Sequence, residues 1–318
     1  MSDARIQFIQ TLLDIWCRMR RILIIGHSGC GDGLASLIGL SSLFSLKGIS
    51  HNNFFPGTMP SFGNAPFFQR SEKIFTDKSQ ISWSLYDHII LVDIADISLT
   101  GCVEELHTFV QNGNTITTID HHASHQPFGT FQWYETQWGS CSMMIGKIWE
   151  SAQLSYDAQT ATALLFGLMY DTGDFSNGGT SAELFRFATK LLQSGAQRKQ
   201  ALEYSHPQFL SEQVIEQWAT VLTTSKIKDD SVEIYLPRGV SLSNAINSIS
   251  KWFAFGHEGL NVLHVWRHKG EGKNLKRKGS FRTTCNDIDV GARAMKWGGG
   301  GHRQAAGYVC SEKSSLQQ

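Results

Sequence analysis

Residues 21–48 read RILIIGHSGCGDGLASLIGLSSLFSLKG, a short apolar run, a glycine-rich turn and a helical pattern that stops at Gly48. That order predicts strand, loop and helix. Two further apolar runs, HIILVDIAD at 88–96 and NTITTIDHH at 114–122, are rich in β-branched residues and contain or end in Asp and His. Runs apolar on both faces and separated by helical stretches predict a mostly parallel α/β sheet. Open sheets of that kind place ligands beyond the C-terminal ends of their strands. Asp32, Asp93, Asp120, His121 and His122 are expected at such ends.

Upstream, Ile6, Ile9, Leu12, Leu13 and Trp16 recur at helical spacing. The acidic Asp3 and Asp14 in that stretch, with no small-residue cleavage site after it, argue for a packed amphipathic helix over a targeting segment. Downstream, 139–222 is mainly helical, with Asp171, Thr172 and Gly173 closing one helix. After Thr223 come strand-like pieces, VEIYLP, LNVLHVW and KGSFRTTC, then a helix-like DVGARAMKW and GGGGHRQAAGYVC. At 318 residues the chain exceeds the size at which one core stops growing. The expected organisation is an N-terminal mostly parallel-sheet domain over 1–200, a connection over 201–224 and a smaller C-terminal α/β domain over 225–312, with a cleft between them. The basic stretch 269–279 reads as a solvated hairpin loop.

Hydrophobic residues make up 41% and charged residues 18%, enough apolar material for folded cores. Lys plus Arg equals Asp plus Glu at 28 each, so no global field attracts long nucleic acid and any anion site must be local. The six cysteines are scattered without a C-x-x-C pair, which favours a reducing, cytoplasmic compartment. No run approaches the ~18 apolar residues of a membrane span.

Carboxylates and imidazoles at adjacent strand ends can converge on divalent cations, because oxygen and imidazole donors suit manganese-like ions. Two such ions can clamp a phosphate and activate a water. A lone Asp-His-His proves little, since most histidines are simply hydrogen-bonded in a core or on a surface. Five pieces in fixed order say more: IIGHSGCGDG, LVDIAD, TIDHH, GLMYDTGDF and GGGGHRQAAGY.

That ordered set resembles the DHH phosphoesterase family with its DHH-associated C-terminal domain, over residues 21 to about 310. The DTG turn and compact size resemble its nano-RNase branch, which also acts on 3'-phosphoadenosine 5'-phosphate, and its linear or cyclic dinucleotide phosphodiesterases. The resemblance implies a short-nucleotide substrate, no long nucleic acid or membrane partner, a homodimer as is frequent in the family, and Mn2+ as cofactor, with Mg2+ or Co2+ as alternatives. It makes Asp93 the carboxylate shared by two metals, and His121 and Asp171 ligands of one of them. It makes Asp120 an orienter of imidazole and His122 a phosphate neighbour, so that Asp93, His121 and His122 are the catalytic set. In the second domain it assigns Gly299, Gly300, Gly301 and His302 to a substrate-binding turn and Arg282 to the grip on a terminal phosphate, with Arg303 a weaker candidate.

The first motif departs from the family's H-x-x-x-D-x-D, because His27 is followed by Ser28, Gly29, Cys30, Gly31 and Asp32 with a single acid. Aligned on the helix start, Asp32 takes the place of the second Asp and Cys30 that of the first. Asp32, Asp93, His121 and Asp171 then make one full set, while His27, Asp93 and Cys30 make a softer one; one metal and two both remain open. Two other readings also stand: a nucleotide-binding protein that has lost catalysis, and an inorganic pyrophosphatase-like enzyme. The second lacks support in the C-terminal motif.

Overall fold

The computed structural model describes residues 3–69, 72–175, 181–205, 223, 225–228, 231–236, 261–269, 276–283 and 285–311. The chain divides into two units, Met1–Phe175 with Gly179–Ser205, and His206–Gln318 with Ser176–Gly178. Each is described by itself.

The first unit is built on the elements α1 (Asp3–Arg18), β1 (Ile22–Gly26), α2 (Gly31–Lys47), β2 (His51–Phe54), β3 (Ile74–Phe75), β4 (His88–Val92), α3 (Val103–Gln111), β5 (Thr115–Asp120) and β6 (Phe131–Tyr134). Four helices follow: α4 (Cys141–Ser151), α5 (Ala158–Thr172), α6 (Ala182–Gln193) and α7 (Arg198–Ser205). The strands form a parallel sheet in the order β3-β2-β1-β4-β5-β6. Alternate residues of β1 and β4 enter different cores: Ile22, Ile24, Ile90 and Val92 pack with the large cluster that holds α1, α2, α4 and α5. Leu23, Ile25, Ile89 and Leu91 face the smaller cluster around α3. Both faces are covered, which is why these strands are unbroken apolar runs. The chain leaves β1 toward β2 on one side and returns to β4 on the other, so the strand order reverses between β1 and β4. That is the switch point where open α/β sheets leave a crevice.

Helix α1 buries Ile9, Leu12, Leu13 and Trp16, as the periodicity predicts, while Ile6 is partly buried. Helix α2 is buried over most of its first fourteen residues and packs against α5. Gly173, in the left-handed conformation, ends α5 immediately beyond Asp171 and Thr172.

In the second unit the described elements are β7 (Lys226–Lys228), β8 (Ser231–Tyr235), β9 (Val262–Lys269), β10 (Lys276–Arg282), α8 (Val290–Met295), β11 (Gly300–His302) and β12 (Ala305–Ser311). They form a sheet in the order β11-β12-β10-β9-β8-β7, antiparallel except for β8 with β9. The fold class is therefore the mixed α/β class expected. One local reading needs correction: residues 276–279 are strand, not loop, and Lys269 closes β9. Their run of charge hid the alternation, since Lys278 lies opposite Arg267 and Lys276 opposite Lys269. Residues 270–275 of that stretch lie outside the described residues. Among the described residues no helix is long and apolar enough to cross a membrane, and all six cysteines are free thiols.

Candidate metal centre

Asp93 follows β4 with φ at 61°, a left-handed conformation that few residues other than glycine adopt. Its amide donates to the Ile119 carbonyl at 2.9 Å, which ties the turn to β5. The side chain is fully buried. Its two oxygens face different neighbours: Oδ1 lies 3.5 Å from His121 Nε2 and 3.7 Å from His122 Nδ1, and Oδ2 lies 3.7 Å from His27 Nδ1. Strain of this kind persists only where the surroundings enforce it, and it gathers at functional sites.

Asp32, His121 and Asp171 form one group, with ligand-type atoms all within 4.8 Å of one another. Asp32 sits in the first turn of α2, past the strand end proper, and its carboxylate accepts from the start of α4. The donors are the amides of Cys141 (2.5 Å) and Ser142 (3.0 Å) and the Ser142 hydroxyl. His121 Nδ1 donates to the Trp138 carbonyl at 3.0 Å, which fixes the ring and presents Nε2. That nitrogen is 3.0 Å from Asp171 Oδ2 and 4.0 Å from Asp32 Oδ2.

His27, Cys30 and Asp93 form a second group within the same 4.8 Å limit. His27 therefore reaches the site despite its altered spacing in sequence. Asp93, Asp120 and His122 form a third. Asp120 bridges two imidazoles, with Oδ1 accepting from His122 Nδ1 at 2.8 Å and Oδ2 from His125 Nδ1 at 2.7 Å. His125 in turn stacks on Tyr134 at 4.7 Å.

The electrostatics are those of a site short of positive charge. Burial, reinforced by Asp93 and Asp171, pushes the Asp32 carboxyl up to about 8. Burial would also raise Asp93, but the imidazoles of His121, His27 and His122 beside it hold it well below the usual carboxylate range. Burial would lower His121, yet Asp171 and Asp93 outweigh it and raise the imidazole well above its ordinary value. For His122 the pull of Asp120 and Asp93 likewise overcomes burial, to about 9. For Asp120 the same balance ends at about 2, with His122 and His125 outweighing burial. Burial, then Asp93, Asp171 and Asp32, push the Cys30 thiol up. His27 Nδ1 and both oxygens of Asp93 are buried with no hydrogen-bond partner. Buried polar atoms without partners beside clustered carboxylates fit a divalent cation.

In the second unit, Gly299 and Gly301 answer a packing demand. A Cβ at Gly299 would overlap the Gly307 carbonyl and lie 2.6 Å from Tyr308 Cα; one at Gly301 would lie 2.7 Å from Ala306 Cα. The glycines let β11, which takes in Gly300 and His302, lie against β12. Arg282 ends β10, where its Nη1 donates to Ser280 Oγ (2.7 Å) and the Phe281 carbonyl (2.9 Å). Arg303 Nε donates to the Asn286 carbonyl at 3.1 Å.

Sequence reasoning did not find His125, Ser142 or the Trp138 carbonyl. His125 was within reach as the third imidazole of DHHASH, while the other two act through contacts with residues far away in sequence.

Residues 21–168 match the DHH family, N-terminal domain. The uncharacterized MG371 homolog of Mycoplasma pneumoniae is 23% identical over 203 residues, covering 63% of this chain and 61% of its own, so the chain spans less than two thirds of that relative. The bifunctional oligoribonuclease and PAP phosphatase NrnA of the same organism is 25% identical over 303 residues, covering 90% of this chain and 86% of its own. An exopolyphosphatase-related protein from Bacteroides fragilis has the same fold, with a TM-score of 0.79 and 20% identity over 98% of this chain and 94% of that one.

Proposed function

From the match of residues 21–168 to the DHH family, N-terminal domain, we propose that the chain is a divalent-cation-dependent phosphodiesterase that hydrolyses short linear oligonucleotides, dinucleotides above all, to mononucleotides. The observation that carries this reading is Asp93, whose two oxygens face two separate groups of ligand-type side chains. In it Asp32, Asp93, His121 and Asp171 hold one divalent cation, and His27, Cys30 and Asp93 hold a second. Such cations, when bound, draw charge from a phosphate and acidify water.

The chain's own residues do the rest. The Trp138 carbonyl locks His121 so that only Nε2 points inward. Asp120 fixes the His122 ring through Nδ1 and, with Asp93, raises its pKa against burial, which suits it to donate to a phosphate oxygen. Asp32 is held in place by the amides at the start of α4. In the second unit Arg282, its guanidinium held by Ser280, and His302 serve to bind a substrate phosphate. A relative named as both oligoribonuclease and PAP phosphatase supports a substrate range that takes in nucleoside bisphosphates as well as short RNA.

The test is hydrolysis of a linear dinucleotide, a cyclic dinucleotide, 3'-phosphoadenosine 5'-phosphate and a long RNA, each with Mn2+, Mg2+ or Co2+. Cation-dependent release of mononucleotide from the linear dinucleotide, with long RNA untouched, is the expected result. Binding of the dinucleotide without hydrolysis under any cation would identify a nucleotide-binding protein instead.

A further inference from the structure

The two groups around Asp93 differ in chemistry. Asp32, His121, Asp171 and Oδ1 of Asp93 offer three carboxylates and one imidazole, a hard set that suits Mn2+ or Mg2+. His27, Cys30 and Oδ2 of Asp93 offer one imidazole, one thiol and one carboxylate, with the three ligand atoms within 4.8 Å of one another. Thiolate is a soft donor that selects zinc-like ions over manganese. Three protein ligands drawn from Cys, His and Asp, with a fourth position left open, is also how catalytic zinc is commonly held.

Two observations independent of the cysteine mark this as a built position. His27 Nδ1 and Asp93 Oδ2 lie 3.7 Å apart, too far for a hydrogen bond, and both are buried without another partner. Asp93 itself is fully buried, so its unmatched oxygen is costly unless something positive lies beside it. The local backbone also serves the placement of His27. A Cβ on Gly33, in the first turn of α2, would lie 2.9 Å from both the Cβ and the backbone nitrogen of His27. Only glycine there lets His27 lie against the helix start, with Cys30 in the N-cap position beside it.

We propose that the His27–Cys30–Asp93 position binds a thiophilic divalent cation of the zinc or cobalt class in preference to manganese, with Cys30 ligating as the thiolate and its proton passing to solvent. The centre is then mixed, with a hard cation beside Asp32, His121 and Asp171 and a softer one beside Cys30. This rests on the two-group reading of Asp93 given above.

The experiment strips the full-length protein of metal and titrates it with Co2+ while recording near-ultraviolet absorbance, where thiolate-to-cobalt charge transfer appears, and counts bound ions by elemental analysis. The expected result is a charge-transfer band that saturates at one Co2+ per chain. Zn2+ removes it, and an excess of Mn2+ does not. In Cys30→Asp the band is lost, the ion count is kept, and Mn2+ binds at that position about tenfold tighter or more. Cys30→Ser, nearly isosteric, loses the band too and covers the case in which an added carboxylate disturbs the fold. Two bound ions with no band, a band that survives Cys30→Ser, or ready displacement by Mn2+ would overturn the assignment of Cys30 alone. A protein that binds no cation would overturn the two-group reading with it.

Discussion

Gly167→Ala sets two effects against each other on helix α5. By helix propensity alone the change stabilises, since alanine in a helix interior is favoured over glycine by about 1 kcal/mol. The surroundings oppose it. A Cβ at this position would lie 2.6 Å from Ala35 Cβ and 2.7 Å from Asp32 Oδ1, and closer still to Ser142 Oγ. Ala35 belongs to the buried first half of α2 and has no flexible end to move aside. Overpacking of this kind costs about 1 to 3 kcal/mol. Turning Ser142 away from Asp32 forfeits a hydrogen bond to a buried carboxylate, about 1.5 to 3 kcal/mol more. The penalties outweigh the gain, leaving a net loss near ~3 kcal/mol. For a unit of this size that lowers Tm by roughly 6 to 12 °C. Affinity at the Asp32, His121 and Asp171 position should also fall by about ten- to a hundredfold, as when the partners that orient a ligand are removed. Differential scanning calorimetry with a Mn2+ titration reads both, and Ser142→Ala isolates the hydroxyl. A Tm raised by the roughly 2 to 4 °C that propensity predicts, with Mn2+ affinity intact, would refute the close packing of α2, α4 and α5 around Asp32.

His88, fully buried with both ring nitrogens hydrogen-bonded to Thr115 and Thr117, has its pKa lowered by burial to about 4. The unfolded chain takes up that proton near 6.5, so the contribution is whole above that pH and is lost as pH falls from about 6.5 toward 4, roughly 3 kcal/mol in all. Urea melts across that window should show the loss in the wild-type protein and a flatter profile in His88→Gln; parallel profiles would remove His88 from the account. His125→Ala should lower turnover by about tenfold or more with metal content unchanged, because it frees one oxygen of the Asp120 that holds His122. His125→Asn, which can still donate to Asp120, should recover part of the rate, and loss of metal instead of rate would show that His125 supports the ligands.

The parallel sheet was legible because its central strands β1 and β4 are buried on both faces and read as apolar runs, and Asp93 and His121 because they stand immediately beyond strand runs. The altered spacing left the reach of His27 open, since the turn from Gly29 to Gly31 sets it and sequence gives no measure of that. Charge concealed the start of β10, where Lys276 and Lys278 interrupt the alternation expected of a strand. Pattern gave no sign of the supports around the site. Trp138 acts through its carbonyl, which every residue has, and Ser142 through a helix start that reaches Asp32 across more than a hundred residues. The resemblance assigns the glycines before His302 to a substrate-binding turn, and their neighbours add a packing demand from β12 that the sequence does not display.

The most direct test of the account is the turnover of a linear dinucleotide by Asp93→Asn. Asparagine keeps the volume and tolerates the left-handed backbone at this position, so the fold should survive, as a melt can verify. It removes the charge that both groups of ligands share. The account predicts a kcat below about a hundredth of wild type, a loss of at least ~2.7 kcal/mol in transition-state stabilisation. A folded Asp93→Asn protein that keeps more than that fraction would contradict the claim that one carboxylate serves two cations.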